Sequence, residues 1–221
     1  MSNKIWKAKW KRNDIGFHQP AINPLLQQYL PQLHLSANDD ILVPLCGKSL
    51  DMDLLTDSGY HVIGIEVSKV AIQAYFDARN VKPKREKKGK FIRWWHQDME
   101  IWCGDIFNLS ANEIGHVKTL YDCASLTAFP PDSRPYYVRH FYEKLSQHSQ
   151  ILLITTETAD EQQQNSVSTI DSEIQSLYEA NYHIELLHGQ SSLKQDPEYP
   201  DEPNKPMEEK VYLLTNNTFS N

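Results

Sequence analysis

The chain has 221 residues, of which 40% are hydrophobic and 23% are charged. This length and apolar content suit one packed domain and exclude a chain that is disordered throughout. Acidic residues outnumber basic ones, 29 to 22, and the net charge of -7 argues against a nucleic-acid partner, because phosphate binding rewards positive fields. No apolar run reaches the ~20 residues that span a bilayer, and the basic N-terminus lacks a signal-peptide core. We therefore expect a cytoplasmic protein without a membrane partner.

The N-terminal stretch predicts two helices. Trp6 and Trp10 share a face if the first stretch is helical. Asn23 can cap a second helix that starts at Pro24. The two tryptophans and Phe17 either dock a helix on the core or wall a ligand site and exclude water.

Strands and helices then alternate. The strand candidates are apolar runs, as is typical of parallel strands covered on both faces. They lie at 40–45, 61–66, 100–105, 117–122, 151–156, 183–187 and 210–215, with helices at 50–58, 69–79, 134–147 and 169–180. This order predicts an α/β fold over residues 1–221, a doubly wound, mostly parallel seven-stranded sheet with helices on both faces.

Four segments lie outside this alternation. Residues 1–35 are predicted to form an N-terminal lid and helix. Residues 82–93 hold seven basic residues and one acid, which indicates a solvated loop or, alternatively, an anion-binding patch. Residues 160–166 read as a polar, glutamine-rich loop. Residues 190–208, with a proline-rich centre, are expected to cover or border the site.

The ends of the predicted strands carry the candidate binding residues, because ligands of open parallel sheets bind beyond the strands' carboxyl ends. Glu66 follows Gly47 by 19 residues, close to the ~20-residue offset at which an acid accepts hydrogen bonds from ribose hydroxyls. Asp105 can accept from an exocyclic amine. In the alternative interpretation, Gly47 only allows a turn of the chain and Glu66 has only a capping role, without a ligand.

The glycine pattern argues against a cofactor that contains phosphates. A dinucleotide fingerprint needs three glycines, and only Gly47 is present; a Walker A loop needs glycine where Leu42 stands. S-adenosylmethionine, an adenosine cofactor without phosphates, fits better, since an acidic rim tolerates its cationic sulfonium. No metal is expected, because the sequence contains neither C-x-x-C nor H-E-x-x-H, and the three cysteines are predicted to be buried and structural.

Several motifs between residues 6 and 215 carry a family resemblance. They are a tryptophan pair at 6 and 10, IGFHQ at 15–19, LVPLCGKSLDM at 42–52, GYHVIGIEVS at 59–68, GDIF at 104–107 and EKVYLLT at 209–215. Together they resemble the thiopurine S-methyltransferase family. The resemblance implies a class I, Rossmann-like methyltransferase that uses S-adenosylmethionine and releases S-adenosylhomocysteine. It also implies transfer to the sulfur of aromatic or heterocyclic thiols, with bacterial relatives acting on selenium and tellurium species.

The resemblance also assigns site residues. It places the cofactor on Trp6, Trp10, Phe17, Leu45, Glu66, Asp105 and Ile106, and the substrate on Phe17 as well. The family usually has Asp-Arg after the fourth strand, where this chain has Asp122-Cys123. We expect Cys123 to face cofactor and substrate, and its small neutral side chain weakens the case for an anionic thiopurine.

No catalytic base is assigned. Asp14 and His18 lie near the predicted lid, but solvent exposure or capping is the ordinary explanation for such residues. We expect a monomer with a small thiol, selenium or tellurium acceptor. Three rivals remain: a degenerate cofactor binder without turnover, a nicotinamide oxidoreductase, and an RNA methyltransferase that uses residues 82–93.

Overall fold

A computed structural model describes residues 3–158, 169–194 and 205–218 of the chain. Within these ranges the α-helices are α1 (Asn3–Arg12), α2 (Pro24–Tyr29), α3 (Asp51–Asp57), α4 (Lys69–Asp77), α5 (Ala111–Ile114), α6 (Arg134–Tyr142) and α7 (Thr169–Tyr178). The strands are β1 (Asp40–Val43), β2 (His61–Glu66), β3 (Lys84–Lys88), β4 (Phe91–His96), β5 (Met99–Cys103), β6 (Thr119–Cys123), β7 (Gln150–Thr158), β8 (Tyr182–Lys194) and β9 (Lys205–Asn216). No helix among these is long and apolar enough to cross a membrane.

The strands form one sheet in the order β3-β4-β5-β2-β1-β6-β7-β9-β8. The five central strands, β5, β2, β1, β6 and β7, pair in parallel. The chain builds outward from β1 to β2 and β5, then returns to place β6 and β7 on the other side of β1. Such a reversal opens a crevice beyond the carboxyl ends of the two strands that flank it. The predicted doubly wound, parallel core is therefore confirmed.

Both faces of this sheet are covered by packed side chains. Ile41 and Val43 of β1 belong to one buried cluster, whereas Leu42 between them belongs to the other. Alternate residues of a strand point to opposite faces, so a strand that is covered twice needs apolar residues at every position. This explains why β1 lacks hydrophobic alternation.

Over the residues that the structure describes, the sheet has nine strands, not the predicted seven, because residues 82–93 form two strands and not a solvated loop. β3 pairs antiparallel with β4, and β4 pairs antiparallel with β5. The guanidinium of Arg85 lies 3.6 Å from the ring centroid of Trp94, and the ammonium of Lys88 lies 3.8 Å from that of Trp102. Four of the seven basic residues thus belong to the edge strand β3, where charge discourages pairing with other chains, and tryptophan faces hold the cations of Arg85 and Lys88.

Capping residues set two helix starts as predicted. The side chain of Asn23 accepts the N–H of Leu25 at 2.9 Å, and the hydroxyl of Ser68 accepts the N–H of Ala71 at 3.4 Å. Helix ends are less well predicted, since α3, α4, α6 and α7 are all shorter than expected. After α6, for example, the N–H of Ser146 donates to the carbonyl of Val117, which draws the chain toward the sheet.

The last two strands extend well beyond their predicted bounds. β8 and β9 pair antiparallel until Lys194 lies opposite Lys205. Residues 190–194 and 205–208, predicted as a cover segment, are therefore strand, because cross-strand pairing satisfies their backbone groups. The remainder of that segment and the glutamine-rich residues 160–166 lie outside the described residues.

Candidate functional site

A cavity of about 480 Å³ opens beyond the carboxyl ends of the central strands. This volume is of the size that small molecules occupy in proteins. Its walls come from α1 and the turn that follows α1, and from the segments after β1, β2, β5 and β6. All nine residues predicted for binding lie on these walls: Trp6, Trp10, Phe17, Leu45, Gly47, Glu66, Asp105, Ile106 and Cys123.

The turn after β1 presents its backbone to the cavity. Gly47 has a φ of +54°, and a Cβ at this position would lie 2.9 Å from Cζ2 of Trp10. Leu45 also has a positive φ, +47°, which is uncommon for a residue with a side chain. Glycine at position 47 therefore allows the turn and the indole of α1 to touch, and together they form one continuous wall.

Glu66 ends β2 and holds this turn in place. Its side chain is 4% exposed. One carboxylate oxygen accepts the N–H of Gly47 at 3.0 Å, and the other accepts the N–H of Ser68 at 2.6 Å. Burial raises the pKa of Glu66 to about 7, although the hydrogen bonds from the backbone act in the opposite direction. Each oxygen keeps a further lone pair, so this carboxylate can brace the turn and still accept from a ligand hydroxyl.

Asp105 follows β5 on the neighbouring wall. Its carboxylate accepts the side-chain amide of Asn3 at 2.7 Å and the N–H of Phe107 at 3.0 Å. The amide of Asn3 is a planar NH₂ donor, as the exocyclic amine of adenine is. The contact shows that Asp105 is oriented to accept from such a donor, and it also ties α1 to the cavity wall.

The aromatic side chains near α1 form a cluster over the cavity. The ring of Phe17 stands edge-on to Trp6, with centroids 5.3 Å apart, and to Trp10, with centroids 5.8 Å apart. Trp10 is buried while Trp6 and Phe17 are partly exposed. The aromatic residues were expected either to dock a helix on the core or to wall a ligand site. One helix face does both, because it packs on the turn after β1 and lines the cavity.

Cys123 lies at the end of β6, where the family usually has arginine. Its sulfur accepts the side-chain amide of Asn23 at 3.5 Å. Although this thiol is partly open to the cavity, burial raises the pKa of Cys123 to about 12, and the charge of Asp51 adds to the effect. The thiol is therefore neutral at neutral pH.

Asp51 is a cavity residue that was not assigned to the site from the sequence. Its side chain is 3% exposed. The carboxylate accepts the backbone N–H of Asn23 at 2.7 Å and the hydroxyl of Tyr121 at 2.8 Å. The wall beside Cys123 therefore combines a buried carboxylate with a neutral thiol.

Asp122, next to Cys123, has a structural role. It is fully buried and accepts hydrogen bonds from the N–H of Ser125 at 2.9 Å and the hydroxyl of Tyr137 at 2.7 Å. Burial raises the pKa of Asp122 to about 6. These contacts fix the turn that follows β6, so Asp122 acts on the site by holding the backbone at Cys123.

Other cavity residues were not assigned to the site from the sequence. They include Asn3, His18, Phe107, Thr127 and Phe129. The rings of Phe107 and Phe129 pack with centroids 5.5 Å apart, and Tyr136 lies 4.8 Å from Phe107. His18 and Phe107 stand inside the family motifs IGFHQ and GDIF, so those motifs were the available signal, whereas Phe129 follows a stretch without any pattern.

The chemistry of these walls fits S-adenosylmethionine. Glu66 offers acceptors for ribose hydroxyls, and Asp105 offers an acceptor for an amine. The aromatic cluster offers ring faces to a sulfonium. Among the described residues, no group of three or more histidine, cysteine, aspartate or glutamate side chains is placed to hold a metal ion.

Comparisons of the sequence with known proteins point to one family. The family model for thiopurine S-methyltransferase (TPMT) matches residues 1–217. The thiopurine S-methyltransferase of Stutzerimonas stutzeri is 37% identical over 215 residues, which cover 96% of this chain and 90% of the relative. That of Pseudomonas syringae pv. syringae is 36% identical over 215 residues, covering 97% and 98%.

Solved structures show the same fold. The N-methyltransferase NodS from Bradyrhizobium japonicum, in complex with S-adenosylhomocysteine, has a TM-score of 0.57 and 12% identity, covering 88% of this chain and 89% of its own. The 1,6-didemethyltoxoflavin-N1-methyltransferase of Burkholderia thailandensis, with bound 1,6-didemethyltoxoflavin and S-adenosylhomocysteine, has a TM-score of 0.61 and 11% identity, covering 97% and 86%. They confirm the predicted class I methyltransferase fold.

Proposed function

The chain belongs to the thiopurine S-methyltransferase family, and on that premise we propose that it methylates the sulfur of a small aromatic or heterocyclic thiol. It is an S-adenosylmethionine-dependent methyltransferase, and its cofactor product is S-adenosylhomocysteine. One observation carries the proposal: a single cavity joins acceptors suited to adenosine, Glu66 and Asp105, to an aromatic wall at Phe107 and Phe129.

When bound, S-adenosylmethionine supplies a methyl group on a sulfonium, which is an already activated leaving group. The chain would hold it with Glu66 at the ribose, Asp105 at the amine and the aromatic rings of Trp6 and Trp10 as a cover. Leu45 and Ile106 supply apolar surface between these polar contacts. The remaining tasks of the protein are to position the acceptor and to exclude water.

The acceptor would lie against the aromatic wall. Phe107 packs with Phe129 and Tyr136 in tilted arrangements, which offer ring faces and edges to a planar heterocycle. Methyl transfer to a thiolate neutralises charge, so a dry apolar wall favours the reaction. The neutral Cys123 and the carboxylate of Asp51 favour uncharged or very small nucleophiles over anionic heterocycles.

Selenium and tellurium species belong to the proposed acceptors, because selenolates and tellurolates attack a methyl sulfonium in the same way. A cofactor binder without turnover is the less favoured alternative. The change at Cys123 affects the acceptor side, while the cofactor wall at Glu66 and Asp105 keeps its acceptors.

We propose that the protein works as a cytoplasmic monomer on small molecules and has no nucleic-acid partner. The basic run that would contact RNA forms the edge strand β3 and part of β4, and Arg85 and Lys88 stack on tryptophans. The net charge of -7 also opposes phosphate binding.

A methyl-transfer panel with labelled S-adenosylmethionine tests the proposal. It should contain a thiopurine, thiophenols, alkyl thiols, selenite and tellurite, with Glu66→Gln as the impaired variant and Glu185→Gln, exposed on β8, as the matched control. We expect thiophenols to be methylated by the wild type and by the control. Binding of S-adenosylhomocysteine without methylation of any thiol would contradict the proposal and establish the degenerate binder.

A further inference from the structure

His18 stands on the cavity wall in a fixed position. It directly follows Phe17, whose ring is held by both Trp6 and Trp10. The backbone N–H of His18 donates to the carbonyl of Ile15 at 2.8 Å, which closes the turn that carries the imidazole. Its side chain is partly buried and lines the cavity. In the part of the chain that the structure describes, its ring has no hydrogen-bond or ion-pair partner.

The carboxylates on the cavity walls already accept hydrogen bonds from the protein. The two oxygens of Glu66 accept backbone N–H groups. Those of Asp105 accept from Asn3 and Phe107, and those of Asp51 accept from Asn23 and Tyr121. These contacts orient each carboxylate toward the protein.

The remaining polar side chains are poor proton acceptors. Burial raises the pKa of Cys123 to about 12, so this thiol is protonated at neutral pH. The ammonium of Lys48 has no lone pair to offer. Among the ionisable side chains of the described walls, His18 therefore combines a free lone pair with the absence of a protein partner.

The electrostatic surroundings keep this imidazole neutral. Burial lowers the pKa of His18 below its ordinary value, and the positive charge of Lys48, on the turn after β1, lowers it further. The charged groups on the other walls are Asp51, Glu66 and Asp105, and each is bound to the protein as described. At neutral pH the ring can accept a proton, and repulsion by Lys48 then favours its release to solvent.

We propose that His18 is the general base that accepts the S–H proton of an un-ionised thiol acceptor, an inference that rests on the proposed function. The proton moves to a ring nitrogen while the thiol sulfur forms a bond to the methyl carbon. The bond from that carbon to the sulfonium sulfur breaks, and its electron pair stays on the departing sulfur. The products are a methyl thioether, S-adenosylhomocysteine and an imidazolium that returns its proton to water.

The test compares two thiols of different acidity. An alkyl thiol is mostly protonated at neutral pH and needs a base, whereas an electron-poor thiophenol is already ionised. For His18→Gln we expect kcat/KM for the alkyl thiol to fall about 10²-fold, at the lower end of the range for general bases, with little change for the thiophenol. Added imidazole should restore part of the activity of His18→Ala toward the alkyl thiol only.

The controls separate the base from the fold and from the proposed function. His183→Gln removes an exposed histidine of β8 and should behave as wild type, and calorimetry with S-adenosylhomocysteine should give equal affinity for all variants. Equal losses of kcat/KM for both thiols, or no loss for either, would overturn the assignment of His18 as the general base. Failure of the wild type to methylate either thiol would instead overturn the proposed function, and the inference with it.

Discussion

The carboxylate of Glu66 accepts the backbone N–H of Gly47 at 3.0 Å, across a sequence separation of 19 residues. These are the two residues whose spacing predicted a ribose site. The contact couples the end of β2 to the turn after β1, so one buried carboxylate both shapes the cavity and offers acceptors to a ligand. Changes at Glu66 should therefore affect cofactor binding more than they affect the rest of the sheet.

Removal of this carboxylate should weaken cofactor binding. For Glu66→Ala we expect the affinity for S-adenosylhomocysteine to fall by about 1.5–3 kcal/mol, the range for hydrogen bonds to a charged group. Calorimetry measures the change, with the exposed Glu185→Ala as control. NADH and ATP should not bind the wild type. Unchanged affinity in the variant, or tight binding of NADH, would contradict the assignment of Glu66.

The raised pKa of Glu66 predicts a pH dependence of binding. Burial raises it from 4.5 to about 7, so folding favours the protonated form, and the stability that this group contributes is lost as pH rises through that window. A ribose diol prefers the ionised carboxylate as acceptor. We therefore expect the affinity for S-adenosylhomocysteine to fall as the pH is lowered from about 8 to about 6 in the wild type.

Glu66→Gln serves as the control for this pH dependence, because its amide does not titrate. Calorimetry at several pH values should give a sloping affinity for the wild type and a flat one for the variant. Parallel slopes in the two proteins would assign the dependence to another group.

Gly47 offers a test of the close contact with Trp10. An added Cβ would lie 2.9 Å from the indole, whereas at Gly59, φ +88°, nothing lies within 4 Å of such a Cβ. Both Gly47→Ala and Gly59→Ala should lose about 1 kcal/mol of stability from the left-handed backbone. Only Gly47→Ala should also weaken the binding of S-adenosylhomocysteine, because it displaces Trp10. Thermal unfolding and calorimetry measure the two effects, and equal binding by both variants would show that the contact is dispensable.

The N-terminal segment is predicted to act as a lid within a single domain of residues 1–221. Deletion of residues 1–19 removes Trp6, Trp10, Phe17 and the contact from Asn3 to Asp105, but no strand of the sheet. We expect a folded protein by circular dichroism, with little methyl transfer and weakened cofactor binding. The single variant Asn3→Ala should lose only the tether and keep most activity. Full turnover by the truncated protein would show that residues 1 to about 20 do not form a lid.

The success of sequence-based prediction followed the range of the interactions involved. β2 was predicted at its observed bounds, and Asn23 and Ser68 were identified as caps, because apolar runs and capping act over a few residues. Strand β3 was missed since five consecutive charged residues carry no apolar pattern; only pairing with β4 makes them a strand.

The site shows the same division. The predicted binding residues come from strand ends and family motifs, whereas Asn3 and Asp51 were missed. Asn3 reaches Asp105 across 102 positions, and Asp51 meets Tyr121 across 70. Asp51 stands inside the motif at 42–52, so that motif was an available signal for it, as for His18 and Phe107. Its contact with Tyr121, like that of Asn3 with Asp105, depends on the folded sheet and has no local signal in a single sequence.

Cys123 gives the sharpest test of acceptor preference. The family residue, arginine, would place a permanent positive charge at the end of β6, beside the buried carboxylate of Asp51. That carboxylate supplies a counter-charge, which lets a guanidinium occupy a partly buried position. The charge should attract an anionic acceptor and repel the sulfonium of the cofactor, and the two effects can be measured separately.

For Cys123→Arg we expect kcat/KM for an anionic thiopurine to rise about tenfold, equivalent to ~1.4 kcal/mol, while the affinity for S-adenosylmethionine stays equal or falls. A neutral thiol should gain nothing. Cys123→Gln, which adds length without charge, is the matched control and should not improve the thiopurine. Steady-state kinetics of the three proteins with one anionic and one neutral thiol provide the measurement. If both acceptors respond alike to the arginine, position 123 does not distinguish substrate charge, and the preference must come from the aromatic wall at Phe107 and Phe129.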